Sequence, residues 1–213
     1  MKELTTYNRA AGYLRKVYRL MNEELFDNEL PDVTITIQST PKAYGHYSVA
    51  KVWNANGEVQ HEINIGAGTL ARPVEETLAT LCHECCHALA AVRGIKDTSN
   101  QGVYHNTRFR DLALEHGLEC QRHSTYGWTI TSAGEGLIDF ILNHDLTDIK
   151  LQRMEPYGIR PTGGHAGEGG VIVPPAKRNS YRRYVCPKCG TIARTTKDAK
   201  LICGDCLLVM VGG

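Results

Sequence analysis

The chain has 213 residues, 42% hydrophobic and 22% charged, with a net charge of +1. That length holds one domain of ordinary size with a small appendage, and no apolar run approaches the roughly 18–20 residues that would span a bilayer. The opening MKELTTYNRAAGYLRK lacks the apolar core of a signal peptide, so a cytoplasmic, reducing setting is expected, where the eight cysteines serve as metal ligands or buried thiols rather than disulfides.

The small net charge hides an asymmetry. From Lys177 onward there are eight Lys/Arg against Asp198 and Asp205, a balance of +6, whereas the preceding 176 residues carry −5. A basic tail on a mildly acidic body points to an anionic partner, nucleic acid first among them, against the plainer reading of a lysine-rich soluble module.

In chain order, Tyr13, Leu14, Val17, Tyr18, Met21 and Leu25 recur at helical spacing, predicting a helix over 6–26 closed by Asp27-Asn28 and Pro31. VTITIQST (33–40) is rich in β-branched residues and predicts a strand. The extended runs 43–53 and 58–66 flank Asn54-Ala55-Asn56-Gly57, which predicts an antiparallel hairpin with a four-residue turn. Pro73 marks the start of a helix over 74–93 that ends at Gly94, and a loop then leads to a helix at about 105–117. The signal weakens over 131–160, where GLIDFILNHDL fits one more short helix. PTGGHAGEGGVIVPPAK reads as a Gly/Pro-rich linker, placed at 161–180, before a cysteine module at 181–213.

Within the second helix, His83-Glu84-Cys85-Cys86-His87 forms an H-E-x-x-H string. Residues four apart on a helix lie about 40° apart around the axis, so both imidazoles can face one zinc ion while Glu84 reaches a water as general base. On the same wheel Cys82 and Cys85 join Leu78, Leu81 and Leu89 on the apolar face, which predicts packing thiols, and Cys86 falls on the border of the site. A third ligand is needed downstream. His105, opening the next predicted helix with Phe109 and Leu112 on its face, is preferred, with Glu115 as the rival; His116 lies about 16 Å further along and is too far. Tyr104, His123 and Tyr126 are the sequence neighbours able to steady an oxyanion. A peptide substrate is expected as an added strand beside 58–66.

Cys186-Pro187-Lys188-Cys189 and Cys203-Gly204-Asp205-Cys206 form two C-x₂-C turns separated by thirteen residues. Four thiolates close a tetrahedron around a second, structural zinc with no open position, and a module of this size needs such a staple to fold. Arg178, Arg182, Arg183, Lys188 and Arg194 surround it, with Tyr181 and Tyr184 interleaved. Cations for phosphates and rings for unpaired bases make single-stranded or junction-containing DNA the expected ligand.

The succession FDNELP, VTITIQST, AYGHYS, EETLATLCHECCHA, YHNTRF and a closing four-cysteine module resembles the SprT-like zinc metallopeptidases over nearly the whole chain except about 131–180. The resemblance implies an α+β fold with a zincin-like domain, placed at 1–130, whose small mixed sheet carries an active-site helix, followed by a zinc ribbon. His105-Asn106-Thr107-Arg108-Phe109 matches the family's H-x-x-x-F string. By resemblance His83, His87 and His105 bind the catalytic zinc, Glu84 is the catalytic base, and the task is DNA-dependent cleavage of proteins covalently trapped on DNA. The short chain with its terminal ribbon suggests a bacterial or phage-type member, cytoplasmic and nucleoid-associated. Two other readings stand beside this one: a nucleic-acid-binding zinc adaptor without peptidase activity, and a zinc hydrolase of another amide.

Overall fold

Helix α1 (Tyr7–Leu25) turns Ala10, Tyr13, Leu14, Val17, Tyr18 and Met21 to one side, and all six are buried. Burying a side chain of the size of Leu14 or Met21 contributes about 1.5–3 kcal/mol, so this stripe fixes the helix against the sheet although no side chain caps its first turn. The chain leaves α1 through Asp27 and Asn28, both with positive φ (50° and 60°), a conformation that short polar side chains tolerate. The computed structural model describes residues 3–40, 43–154, 182–195 and 197–212. Two units are distinguished, 1–176 and 177–213. The linker expected at 161–180, Arg178 and Tyr181 lie outside the described residues.

In the first unit, β1 (Val33–Gln38) pairs parallel with β4 (Glu58–Gly66) from Val33↔His61 to Gln38↔Gly66. On the other side of β4 lie β2 (Gly45–Tyr47), opposite Ile63–Ile65, and β3 (Trp53–Ala55), opposite Glu58–Gln60. The run 43–53 is therefore two strands rather than one. Between them Ser48 spends its hydroxyl on the Glu62 N–H (2.7 Å), and residues 49–52 have no place in the ladder, because five steps from Ser48 to Trp53 face only two from Glu62 to Gln60. The turn is tighter than expected. Asn56 and Gly57 both have positive φ (54° and 93°), which is the two-residue type I′ hairpin. The order β1-β4-β2 also makes β4 an interior strand. Residues 58–66 thus cannot receive a peptide along their edge; the exposed edge of this sheet on the side of the next helix is β2.

That helix is α2 (Val74–Val92). Pro73 occupies its N-cap, and the first N–H, from Val74, is taken up by Asp148 Oδ1 at 2.9 Å. Beyond Gly94 (φ 64°) come β5 (Thr98–Ser99), β6 (Tyr104–His105), α3 (Thr107–Glu115), β7 (Leu118–His123), β8 (Gly127–Ala133) and α4 (Glu135–Asn143). The four strands form a second sheet in the order β5-β6-β8-β7. The helix expected at 105–117 starts later, because the Asn106 side chain accepts from the Arg108 and Phe109 N–H groups and makes Asn106 the N-cap. His105 sits on a strand. The short helix suspected in GLIDFILNHDL is α4, with Leu137, Ile138, Phe140 and Ile141 buried. The segment after it returns to α1, where the Tyr13 hydroxyl donates to the Thr147 carbonyl and the Lys150 N–H to that of Leu4. The first unit thus continues well past residue 130.

The second unit is a three-stranded antiparallel sheet, β9 (Arg182–Val185) between β10 (Ile192–Thr195) and β11 (Val211–Gly212). Its core is small: Tyr184, Cys186, Cys203 and Met210, with Ala193, Leu201 and Cys206 against them. Among the described residues no helix is long and apolar enough to cross a membrane.

Candidate metal centre

His83 and His87 lie one turn apart on α2, and β6 delivers His105 from the second sheet. Their Nε2 atoms form a nearly equilateral triangle, with 3.2 Å between His83 and His105, 3.2 Å between His83 and His87, and 3.1 Å between His87 and His105. Three donors at about 2.0–2.1 Å from one tetrahedral zinc would stand about 3.3 Å apart, so the triangle fits such an ion. The Phe109 ring packs against all three imidazoles, with centroid separations of 4.6, 4.7 and 4.6 Å. This buried ring, one turn into α3, forms an apolar floor and gives a physical reason for a phenylalanine four residues after the third histidine.

Two of the remaining ring nitrogens are also held. His83 Nδ1 meets Thr131 Oγ1 at 3.0 Å, and His87 Nδ1 meets Asp97 Oδ2 at 2.5 Å. A carboxylate accepts only, so His87 keeps its proton on Nδ1 and turns the Nε2 lone pair toward the cluster. His105 is placed by its backbone. Its N–H donates to the Tyr126 carbonyl (3.0 Å), and it pairs with Thr98 on one side and Gly127 on the other. Gly127 has φ 72°, and a Cβ there would overlap the His105 carbonyl oxygen, so only glycine lets β8 come this close.

Glu84 is buried at 3% exposure, beside β2. Burial pushes its carboxyl up to about 7, against the opposing pull of His87 and of the Tyr47 backbone N–H. Gly45 leaves room for it: a Cβ there would stand 2.9 Å from both the Asn64 carbonyl oxygen and Thr80 Cγ2, and 3.2 Å from Glu84 Oε1.

The structure places the other sequence candidates as follows. Glu115 ends α3, exposed, and is not among the clustered side chains, so the rivalry for third ligand resolves geometrically to His105. Cys82, Cys85 and Cys86 are fully buried and outside the histidine cluster; Cys82 Sγ donates to the His116 carbonyl (3.3 Å), and burial pushes the Cys85 and Cys86 thiols well up. His116 stacks on Phe26 at 4.3 Å, a packing role. Tyr104, next to His105 on an extended strand, points to the opposite face, where its hydroxyl accepts from Arg122 (3.3 Å). His123 stacks on Tyr126 at 4.9 Å and accepts from the Thr125 and Tyr126 N–H groups, which ties both into the β7–β8 turn. Sequence reading missed Asp97, Thr131, Gly45 and Gly127. Only Asp97, ten residues from His87 in the connecting loop, had a local signal.

In the second unit the sulfurs of Cys186, Cys189, Cys203 and Cys206 all lie within 4.8 Å of one another, with 3.6 Å between Cys189 and Cys203. Four thiolates about 2.3 Å from one zinc would stand about 3.8 Å apart, so this cluster also fits a tetrahedral ion. Hydrogen bonds from the Thr191 hydroxyl and backbone pull the Cys189 thiol down to about 6, while the hydrogen bond it shares with Cys206 pushes that thiol up to about 12.

A zincin-like metal-site domain of α+β type is what these elements define. The model of the SprT-like family matches residues 14–125, more than half of the chain and a span holding all three histidines and Glu84, and the chain belongs to that family, which is metallopeptidase-like. Comparison with curated proteins and with solved structures returns no match.

Proposed function

We propose that the chain is a zinc-dependent peptidase that cleaves proteins bound or crosslinked to DNA, with His83, His87 and His105 as metal ligands and Glu84 as general base. The observation that carries the reading is the triangle of Nε2 atoms with a buried carboxylate next to it on the same helix, at the edge of a sheet. Zinc held by the three imidazoles would supply Lewis acidity toward a carbonyl and an attacking water. Glu84, raised toward neutrality by its burial, takes the proton of that water on a carboxylate oxygen and returns it to the leaving amine. Asp97 and Thr131 keep the imidazoles oriented, and Phe109 excludes water from beneath them.

Substrate placement follows from β2. Its ladder to β4 runs through Tyr44, His46 and Ser48, so the main-chain groups of Gly45 and Tyr47 point off the edge. An extended peptide added there brings a carbonyl alongside Glu84, whose carboxylate already accepts from the Tyr47 N–H. The four-cysteine unit, with its arginines and lysines, supports DNA as the accompanying ligand, with its own zinc in a structural role.

The test is Glu84→Gln in the full zinc-loaded chain, assayed on a protein crosslinked to a single-stranded oligonucleotide. Cleavage is expected to fall at least about 100-fold with zinc content unchanged. Cleavage that survives the change rules out Glu84 as base. Absence of cleavage by the wild type, with oligonucleotide binding intact, favours the adaptor reading.

A further inference from the structure

Residues 7–20 of α1 hold Arg9, Arg15, Lys16 and Arg19 and no acid, a balance of +4. The first 176 residues together balance at −5, so the rest of that span stands at −9. At about 100° per residue the four cations fall within an arc of about 120°, opposite the buried side of the helix. Gly12 lies in the middle of that arc, and all five residues are exposed. Helix stability does not account for the cations. A positive charge near a helix N-terminus opposes the dipole, and the first turn of α1 has neither an acid nor a side-chain cap to offset Arg9. Arg15 and Arg19, one turn apart, repel each other. Arg9 spends one N–H on the Glu3 carbonyl (3.3 Å). Among the described residues no hydrogen bond or ion pair engages the side chains of Arg15, Lys16 or Arg19, and Glu23, one turn beyond Arg19, makes none with it. The ribbon differs, since Arg182 is ion-paired with Asp198, and Arg183 and Arg194 have interactions of their own. Packing does not call for Gly12 either. Glycine weakens a helix interior, and a Cβ here would meet nothing within 4 Å. It opens onto a groove beside β1, lined by Ala11, Gly12 and Arg15 from the helix and by Thr34 and Gln60 from the sheet. Thr34 Oγ1 donates to Gln60 Oε1 (3.0 Å), which leaves the Gln60 amide nitrogen as a further donor.

We infer that this face of α1, centred on Gly12 and gripped by Arg15, Lys16 and Arg19, holds the phosphate backbone of double-stranded DNA, apart from any hold by the ribbon. The inference rests on the DNA reading proposed above. Charge complementarity selects the partner, because four cations stand together in an otherwise acidic unit and an arginine fork matches phosphate geometry. The side chains select the form. From Arg9 to Arg19 the exposed arc carries no aromatic or aliphatic side chain to cover an unstacked base, so it grips backbone alone, and the convex surface of a helix fits a duplex groove. The position suits a substrate that carries DNA. Helix α1 packs on β1, at one end of the order β1-β4-β2, and the peptide edge proposed above is β2, at the other end, about 10 Å away across two strand spacings. A duplex on one flank keeps a protein crosslinked to it within reach of the other.

The experiment is fluorescence anisotropy of a labelled mixed-sequence duplex with the full zinc-loaded chain, across a salt series. For Arg15→Gln/Lys16→Gln/Arg19→Gln, binding is expected to weaken at least about tenfold and the slope of log affinity against log salt to flatten by about 2.7, three phosphates of a duplex at about 0.9 each. Gly12→Glu sets a carboxylate in the middle of the face without a clash, and binding is expected to weaken several-fold. Lys51→Gln/Lys96→Gln/Arg108→Gln removes the same charge from exposed positions elsewhere in the unit, and is expected to flatten the slope by less than about 0.9, one phosphate. Equal losses in the two triple variants, or wild-type binding by Gly12→Glu, overturn the face while the DNA reading stands on the ribbon. Wild-type binding to the single strand but not to the duplex likewise overturns only the face. If the wild type ignores both forms but binds phosphatidylglycerol vesicles, the partner is a lipid surface, and the inference and the DNA reading fall together. Zinc content equal to wild type confirms that each variant is folded.

Discussion

The Nδ1 of His87 lies 2.5 Å from Oδ2 of Asp97, and the same aspartate's carbonyl accepts the N–H of Asn106, the residue after His105. One loop residue thus orients a ligand on α2 and anchors the strand end that carries another. Asp97→Asn keeps the shape but gives up the charge-assisted bond, and metal affinity is expected to drop by roughly 10–100-fold. Competition with a chromophoric chelator measures it directly, in the absence of substrate. An unchanged affinity would mean that Asp97 does not position His87.

Metal stoichiometry separates the two centres. The full chain is expected to hold two zinc ions; His105→Ala is expected to hold one, retained by the four cysteines, and Glu115→Ala two. Elemental analysis decides between them. Two ions in His105→Ala would return the question of the third ligand to the helix α3 side chains.

The H-E-x-x-H string was legible because helical periodicity is local: the angle between His83 and His87 follows from four residues of α-helix. His105 was legible as a residue but misread as an element, since Asn106 takes the role of N-cap and starts the helix at Thr107, two residues later than the apolar spacing predicts. The break in 43–53 depends on the Ser48 hydroxyl reaching Glu62, a long-range bond that no alternation pattern in β2 reveals. Strands β7 and β8 were missed for a related reason, as Glu119, Gln121 and Arg122 give little apolar alternation on the solvent side. The cysteine tetrad could be read from spacing alone. The row Ile192, Val185 and Val211 across its three strands could not, because it exists only once β9, β10 and β11 are in register.

Gly45 is a close approach of β2 to α2. A methyl group there meets the Asn64 carbonyl and Thr80 at 2.9 Å, and the carbonyl belongs to the central strand and cannot rotate away. Gly45→Ala is expected to destabilise the first unit by about 1–3 kcal/mol, as overpacking does, and to lower cleavage further by displacing Glu84. Thermal unfolding together with turnover at equal zinc content tests this. Wild-type values for both would show that β2 can move away from the helix without consequence.

The thiols of α2 are packing groups. Cys86→Ala removes a buried sulfur next to Cys82 and leaves every histidine in place. A stability loss of about 1 kcal/mol is expected, with zinc content unchanged. Loss of the first zinc would instead place Cys86 in the metal centre.

The two cysteine turns of the ribbon are built alike, with one telling difference. Gly190 donates its N–H to the Cys186 carbonyl (2.9 Å) and Leu207 to that of Cys203 (2.8 Å), and both have positive φ, 75° and 55°. Glycine adopts this conformation freely, whereas leucine incurs about 1–2 kcal/mol of strain there. The Leu207 side chain is 79% exposed, so packing within its unit recovers little of that strain. Leu207→Gly removes the strain but adds about 0.4–1 kcal/mol of unfolded-chain entropy, for a net gain near 0.5–1 kcal/mol. The reverse change, Gly190→Leu, meets open space around its Cβ and is expected to destabilise by about 1 kcal/mol through backbone strain alone. Chelator-driven zinc release from the ribbon measures both. Faster release from Leu207→Gly than from wild type would mean that the exposed leucine holds the turn through a contact of its own.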